Sequence, residues 1–119
     1  MNEIKISVNF EKGLCVTNGI NLITGDYNST KLVFEFDKED GTKTFKMANP
    51  NGDLVLEKEI VDNELILVGQ DENENDISLF ATSGDYPFEI TLVNDDDLLT
   101  SASNILSVKQ SVINESGVI

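Results

Sequence analysis

The chain has 119 residues, 39% of them hydrophobic, with 22 acidic against 8 basic side chains and a formal charge of −14. That length suits one domain with its own core, and the acidity disfavours nucleic-acid phosphates and anionic membranes, which need a basic footprint. Histidine is absent and Cys15 is the single cysteine, which removes Ser-His-Asp and Cys-His mechanisms, the commonest transition-metal ligand and any internal disulfide.

Residues 3–10 alternate, with Ile4, Ile6, Val8 and Phe10 on one face and Glu3, Lys5, Ser7 and Asn9 on the other. This period of two predicts a half-buried strand. The same stretch has no basic leader and no continuous apolar core, so it does not read as a signal peptide. No apolar run reaches membrane-spanning length. Glu11-Lys12-Gly13 reads as a turn, and residues 14–17 as a short strand in which Cys15 is a small buried hydrophobe. Asn18-Gly19 is a tight-turn dipeptide. Residues 20–24 are apolar but irregular.

The polar stretch 25–30 turns into a strand over 31–37 that puts Leu32, Phe34 and Phe36 on one face. Asp37-Lys38-Glu39-Asp40-Gly41 predicts a hairpin turn, because glycine accepts positive φ. Residues 42–48 return as a strand with Phe45 and Met47 together. Asn49-Pro50-Asn51-Gly52 is the strongest turn, residues 54–60 follow as a strand, and Asp62-Asn63 breaks it. The apolar run 65–68 predicts a strand buried on both faces. Residues 71–76 form an acidic loop, and 77–80 fit either a strand or a helical turn. Tyr86, Phe88, Ile90 and Leu92 share a face, while Pro87 cannot donate to a ladder and predicts a start at a sheet edge or bulge. Residues 94–97 are a turn, 104–113 the last strand, and 114–119 a frayed tail.

No stretch has helical periodicity. About seven to nine short strands at this spacing predict an all-β, antiparallel β-sandwich, immunoglobulin-like or jelly-roll-like, over residues 1–113. Tyr86 stands two residues before Phe88, where immunoglobulin domains have a corner tyrosine two before a core cysteine; the cysteine and the core tryptophan are missing.

Acidic clusters are the metal candidates. Asp37, Glu39 and Asp40, the loop Asp71, Glu72, Glu74 and Asp76, and Asp95, Asp96 and Asp97 could offer oxygens to calcium, but none has the EF-hand spacing. Solvated hairpin tips are the favoured reading of each cluster. Without histidine, a reactive cysteine or a Gly-rich phosphate loop, the expectation is a protein that is not an enzyme and needs no cofactor. The aromatic residues fall on the apolar strand faces and read as core.

Three segments in order carry a resemblance: Gly25-Asp26-Tyr27-Asn28-Ser29-Thr30-Lys31-Leu32-Val33-Phe34-Glu35-Phe36, then Gly84-Asp85-Tyr86-Pro87-Phe88-Glu89-Ile90-Thr91-Leu92, then Leu99-Thr100-Ser101-Ala102 with Ile105-Leu106-Ser107-Val108. Over about residues 2–113 the chain resembles the N-terminal domain of baseplate upper proteins of tailed bacteriophages of Gram-positive hosts. The resemblance implies a virion structural protein, made in the host cytoplasm, that docks in the baseplate and positions receptor-binding or fibre proteins. It implies other phage structural proteins as partners and a homo-oligomer, trimer or hexamer, and no catalytic residue. Family members continue into a stalk and a C-terminal assembly region, from which this short chain departs. Uncovered edges around residues 3–10 or 104–113 are the expected docking surfaces. Two other readings stand beside it: a carbohydrate-binding or adhesion-type module, which needs exposed aromatics, and an acidic nucleic-acid mimic acting as an inhibitor, which the net charge alone fits.

Overall fold

The computed structural model describes residues 2–18, 22–23, 30–70, 73, 76–77, 82–94 and 99–109. Among them are no helices and eleven strands: β1 (Asn2–Asn9), β2 (Leu14–Asn18), β3 (Leu22–Ile23), β4 (Thr30–Phe36), β5 (Thr42–Ala48), β6 (Leu54–Glu59), β7 (Glu64–Ile66), β8 (Gly69–Gln70), β9 (Asp76–Ile77), β10 (Gly84–Val93) and β11 (Leu99–Lys109). The protein is all-β, as the alternation predicts. The strands run β6-β5-β10-β11-β2-β1-β4-β7 in one strongly curled, half-barrel sheet; β3 pairs with β11, and β8 with β9 as a separate ribbon.

The sheet is mixed, which corrects the purely antiparallel expectation. β1 and β4 run parallel from Asn2↔Thr30 to Val8↔Phe36, and β11 is parallel to β2 and β3. A parallel pair needs a long crossover, and residues 10–29 supply one. Strand direction leaves no trace in a period of two, so alternation cannot reveal it.

The 37–41 turn is corrected as well. It joins β4 to β5, which are not neighbours, and carries the chain from one half of the sheet to the other. Gly41 has φ 124°, and a Cβ there would lie 2.6 Å from the Val93 carbonyl oxygen and 2.8 Å from Leu92 Cδ1. The glycine is needed for a close crossing. The 49–53 turn does make its hairpin, between β5 and β6: Asn49 Oδ1 accepts from the N–H groups of Asn51 and Asp53, at 2.9 and 3.0 Å.

β7 is an edge strand with Leu65 buried and Ile66 half-buried, so the apolar run 65–68 is not covered on both faces. β11 starts at Leu99 rather than 104. After Leu99 it runs through threonine, serine and alanine at 100–103, which gives no hydrophobic alternation, yet it pairs with β10 from Val93↔Leu99 to Gly84↔Val108. Pro87 lies one residue before the β5 ladder begins at Phe88↔Met47, where only β11 flanks β10. Residues 19–21, 24–29 and 110–119, with the turn and tail expected there, lie outside the described residues.

The core gathers the inward side chains of both halves: Ile4, Ile6, Val8 and Leu32 from β1 and β4, and Phe45, Met47, Phe88, Ile90, Leu92 and Leu106 from β5, β10 and β11. An aromatic chain crosses it. Phe10 stacks on Phe36 at 5.9 Å, Phe36 on Phe34 at 5.6 Å, Phe34 meets Phe45 at 6.3 Å, and Phe45 stacks on Phe88 at 5.3 Å. Such pairs add about 0.5–1.5 kcal/mol each beyond burial. The Phe34–Phe45 contact joins strands far apart in the sheet, so the curl brings its two halves face to face.

Residues 60–63 hold that curl. β6 and β7 are the two ends of the sheet path but consecutive in sequence. The link donates Ile60 N–H to the Lys43 carbonyl at 2.9 Å, and its Asn63 carbonyl accepts Phe34 N–H at 2.9 Å. Asp62 and Asn63 take φ 56° and 58°, the left-handed region that Asp and Asn tolerate best among residues with a Cβ. The expected break is a tight turn that straps one half to the other.

Candidate interaction surface

The acidic turn at 37–41 is occupied by the chain's own groups. Asp37 Oδ1 accepts the Phe10 N–H at 2.9 Å and Oδ2 that of Glu11 at 3.3 Å. The Phe10 bond is the chief reason the Asp37 pKa lies below its ordinary value. Lys43, 8% exposed, donates from Nζ to the Glu39 carbonyl at 2.6 Å and sits 4.7 Å above the Phe36 ring. A cation therefore already neighbours this turn. Glu39 and Asp40 point to solvent-exposed positions. Among the described residues no three His, Cys, Asp or Glu side chains converge to hold a metal. Asp95, Asp96 and Asp97 lie outside them, as do the side chains of the 71–76 cluster.

Cys15 is buried, and burial pushes its thiol pKa up to about 11. That holds it as an unreactive thiol at neutral pH. Tyr86 is 1% exposed and its hydroxyl donates to the Thr82 carbonyl at 2.7 Å. The acceptor lies four residues back along the chain.

The outer face of β6-β5-β10-β11 is ordered in cross-strand rows. Lys46 pairs with Glu89 and Glu57, Glu89 pairs with Ser103, and Thr91 pairs with Thr44 and Ser101. The next row is apolar. Leu54 is opposite Ala48 on β5, and Pro87 opposite Ile105 on β11. A groove of about 350 Å³ lies here, lined by Lys46, Ala48, Leu54, Pro87, Glu89 and Ser103. Leu54 reaches this face because the ladder shifts register between Met47 and Ala48, which inserts Val55 as a bulge residue. At one end Pro50 packs on Gly84, where a Cβ would come within 2.8 Å of the proline ring. The sequence marked Pro87 only as a ladder breaker and Leu54 only as strand, and nothing in the spacing joins them.

A second groove of about 270 Å³ lies between the two end strands, with Lys31, Lys58, Glu59, Val61, Glu64 and Ile66 on its walls. Lys31 Nζ lies 3.9 Å from Glu3 and 3.3 Å from Glu64, tying β1, β4 and β7 across their outer face. Exposed pairs of this kind contribute at most about 1 kcal/mol.

Where the halves meet on the other side, β2 and β11 touch at one register pair, Ser103↔Leu14. Beyond it Asn104 fills the seam. Its Oδ1 accepts Ile105 N–H at 2.7 Å and its Nδ2 donates to the Cys15 carbonyl. The side-chain amide stands in for a backbone rung. Leu14, Val16 and Ile105 are exposed along this seam.

No protein-family model matches the chain, and no curated protein is significantly similar to it. The expected docking edges are corrected: β1 lies between β2 and β4, and β11 between β10 and β2, so the end strands are β6 and β7. The described aromatic residues all belong to the core or pack against it; Tyr27 and Phe80 lie outside the described residues. Among the described residues no helix is long and apolar enough to cross a membrane.

Proposed function

We propose that the chain is a non-enzymatic virion structural module, a phage tail or baseplate β-sandwich that docks other phage structural proteins and so positions receptor-binding or fibre proteins. The observation that carries this reading is the apolar row Leu54–Ala48–Pro87, set in a groove between Lys46 and Glu89 on an otherwise polar sheet face. Four laterally bonded strands hold that groove rigid, so a partner meets a preformed surface and little ordering cost opposes binding. The sandwich reading is supported by the Phe34–Phe45 contact between facing halves and by the Tyr86–Thr82 corner bond. Three segments of sequence resembling the baseplate upper protein domain supply the choice of partner class.

The test is incorporation. The chain, co-expressed with its neighbouring reading frames, is expected to co-purify with assembled tail particles in fixed stoichiometry by mass spectrometry. Leu54→Asp places a carboxylate in the groove and is expected to lower its recovery about tenfold or more while circular dichroism stays unchanged. Particles that assemble without the chain would exclude the structural role.

A further inference from the structure

We propose that Asn51-Gly52, at the tip of the β5-β6 hairpin, is a self-modification site with water as its only reagent: the Asn51 side chain loses ammonia through a cyclic imide and becomes aspartate or isoaspartate. The hairpin turn gates the reaction, and the product alters the turn that leads into Leu54.

Three observations carry it. Asn-Gly occurs at 18–19 and 51–52, and a following glycine leaves the attacking nitrogen unhindered by a side chain. Asn51 and Gly52 are both exposed, and nothing lies within 4 Å of a Cβ built at Gly52. Second, the Asn51 side-chain amide has no hydrogen bond among the described residues; only its backbone N–H is tied, to Asn49 Oδ1. Third, other asparagines are held back. Asn49 precedes Pro50, whose nitrogen has no proton to lose. Asn104 precedes the β-branched Ile105, and both ends of its amide are bonded. Asn18 is a ladder residue of β2, opposite Lys5.

The step balances with water alone. The Gly52 nitrogen gives up its proton and bonds to Asn51 Cγ, the side-chain nitrogen leaves with a proton as ammonia, and a five-membered imide closes. Water then opens the ring. Cleavage between the nitrogen and Cγ leaves aspartate; cleavage between the nitrogen and the Asn51 backbone carbonyl carbon leaves isoaspartate, whose main chain runs through Cβ and Cγ. Attack between adjacent groups has the high effective concentration of an intramolecular reaction. In the folded chain the Gly52 N–H donates to the Asn49 carbonyl at 2.9 Å, and Asn49 Oδ1 holds the N–H groups of Asn51 and Asp53. The nitrogen is engaged until the turn opens, and exposed hairpin tips open locally at little cost. Isoaspartate lengthens the main chain of the turn and adds a negative charge, beside the Pro50 that packs on Gly84 and just before Leu54. Any effect on docking rests on the groove reading; the chemistry does not.

The purified chain is kept in warm, mildly alkaline buffer made with heavy-oxygen water, and its peptides are mapped by mass spectrometry with electron-transfer fragmentation, which tells isoaspartate from aspartate. Asn51 is expected to lose its amide faster than Asn18, to take up oxygen from the water and to give isoaspartate in excess. Unfolding in urea is expected to speed the loss at Asn51 several-fold. Asn49→Ala, which removes the clamp on the turn, is expected to speed it in the folded chain. Asn51→Gln keeps an amide but needs a six-membered ring, and is expected to stop the release while circular dichroism stays unchanged. Aged wild type is expected to enter tail particles less well than Asn51→Gln aged beside it. A folded chain that keeps the Asn51 amide while the unfolded one loses it, a product oxygen not drawn from water, or a rate indifferent to Asn49→Ala would overturn the site or its gate. Equal incorporation of the two aged chains would overturn the effect on the groove. Failure of both to incorporate, fresh or aged, would sink the docking reading and leave the modification standing.

Discussion

Asp37 shows how one carboxylate can be read wrongly from its neighbours. In sequence it opens an acidic turn and looks like a cation ligand. In the fold it accepts N–H groups of Phe10 and Glu11, from the far end of β1. Those bonds favour the charged form, so the folded pKa lies below the unfolded value of about 3.9. The unfolded chain therefore takes up the proton first on acidification. The stability Asp37 contributes is complete above the unfolded value and is lost as pH falls through the folded one. Urea midpoints of wild type and Asp37→Ala are expected to differ at pH 6 and to converge as the pH is taken below the folded pKa. An equal gap at every pH would mean that the carboxylate's charge plays no part. Residues 10 and 37 are brought together by parallel pairing, of which neither local segment carries a sign. The Tyr86 contact is local by comparison, its partner being only four residues away.

The strands themselves were readable wherever one face is buried and the other wet. β1, β4, β5 and β10 alternate in burial as their side chains do. The reading stopped at neighbours and direction. Phe36 and Phe45 face one core from opposite halves, so the turn between them looks like a hairpin although it is a crossing. Gly41 distinguishes the two. Gly41→Ala must fit a Cβ against the Val93 carbonyl and hold a positive φ, and is expected to cost about 2 kcal/mol or more in urea unfolding. Gly52 also has positive φ, at 91°, but nothing lies within 4 Å of its Cβ position. Gly52→Ala is expected to cost only the backbone term, about 1–2 kcal/mol. A similar loss at both positions would mean that the 37–41 crossing tolerates the extra atom. The groove was not legible for the same reason as the crossing: Leu54, Ala48 and Pro87 come from three strands, and a register shift sets Leu54 in place.

At the scale of the whole molecule, net charge was the plainest property of the sequence, and it acts against compactness. A charge of −14 on 119 residues repels itself more in the folded than in the expanded chain. The melting temperature is expected to rise by several degrees between about 0.05 M and about 0.5 M sodium chloride, as the Debye length shortens. A melting temperature independent of salt would show the charges to be well separated already. The asymmetry of that charge, absent from β2 and β11, became visible only once the two strands were known to be neighbours. Their seam also has a consequence in time. Asn104 and the Cys15 carbonyl it binds are 89 residues apart, as are Ser103 and Leu14. During synthesis the first half of the sheet emerges with the free rim of β2 exposed, and it waits until Leu99–Lys109 has been made. β2, which has no charged side chain, is thus the strand whose rim stays open longest to other nascent chains, and β11 arrives last to cover it.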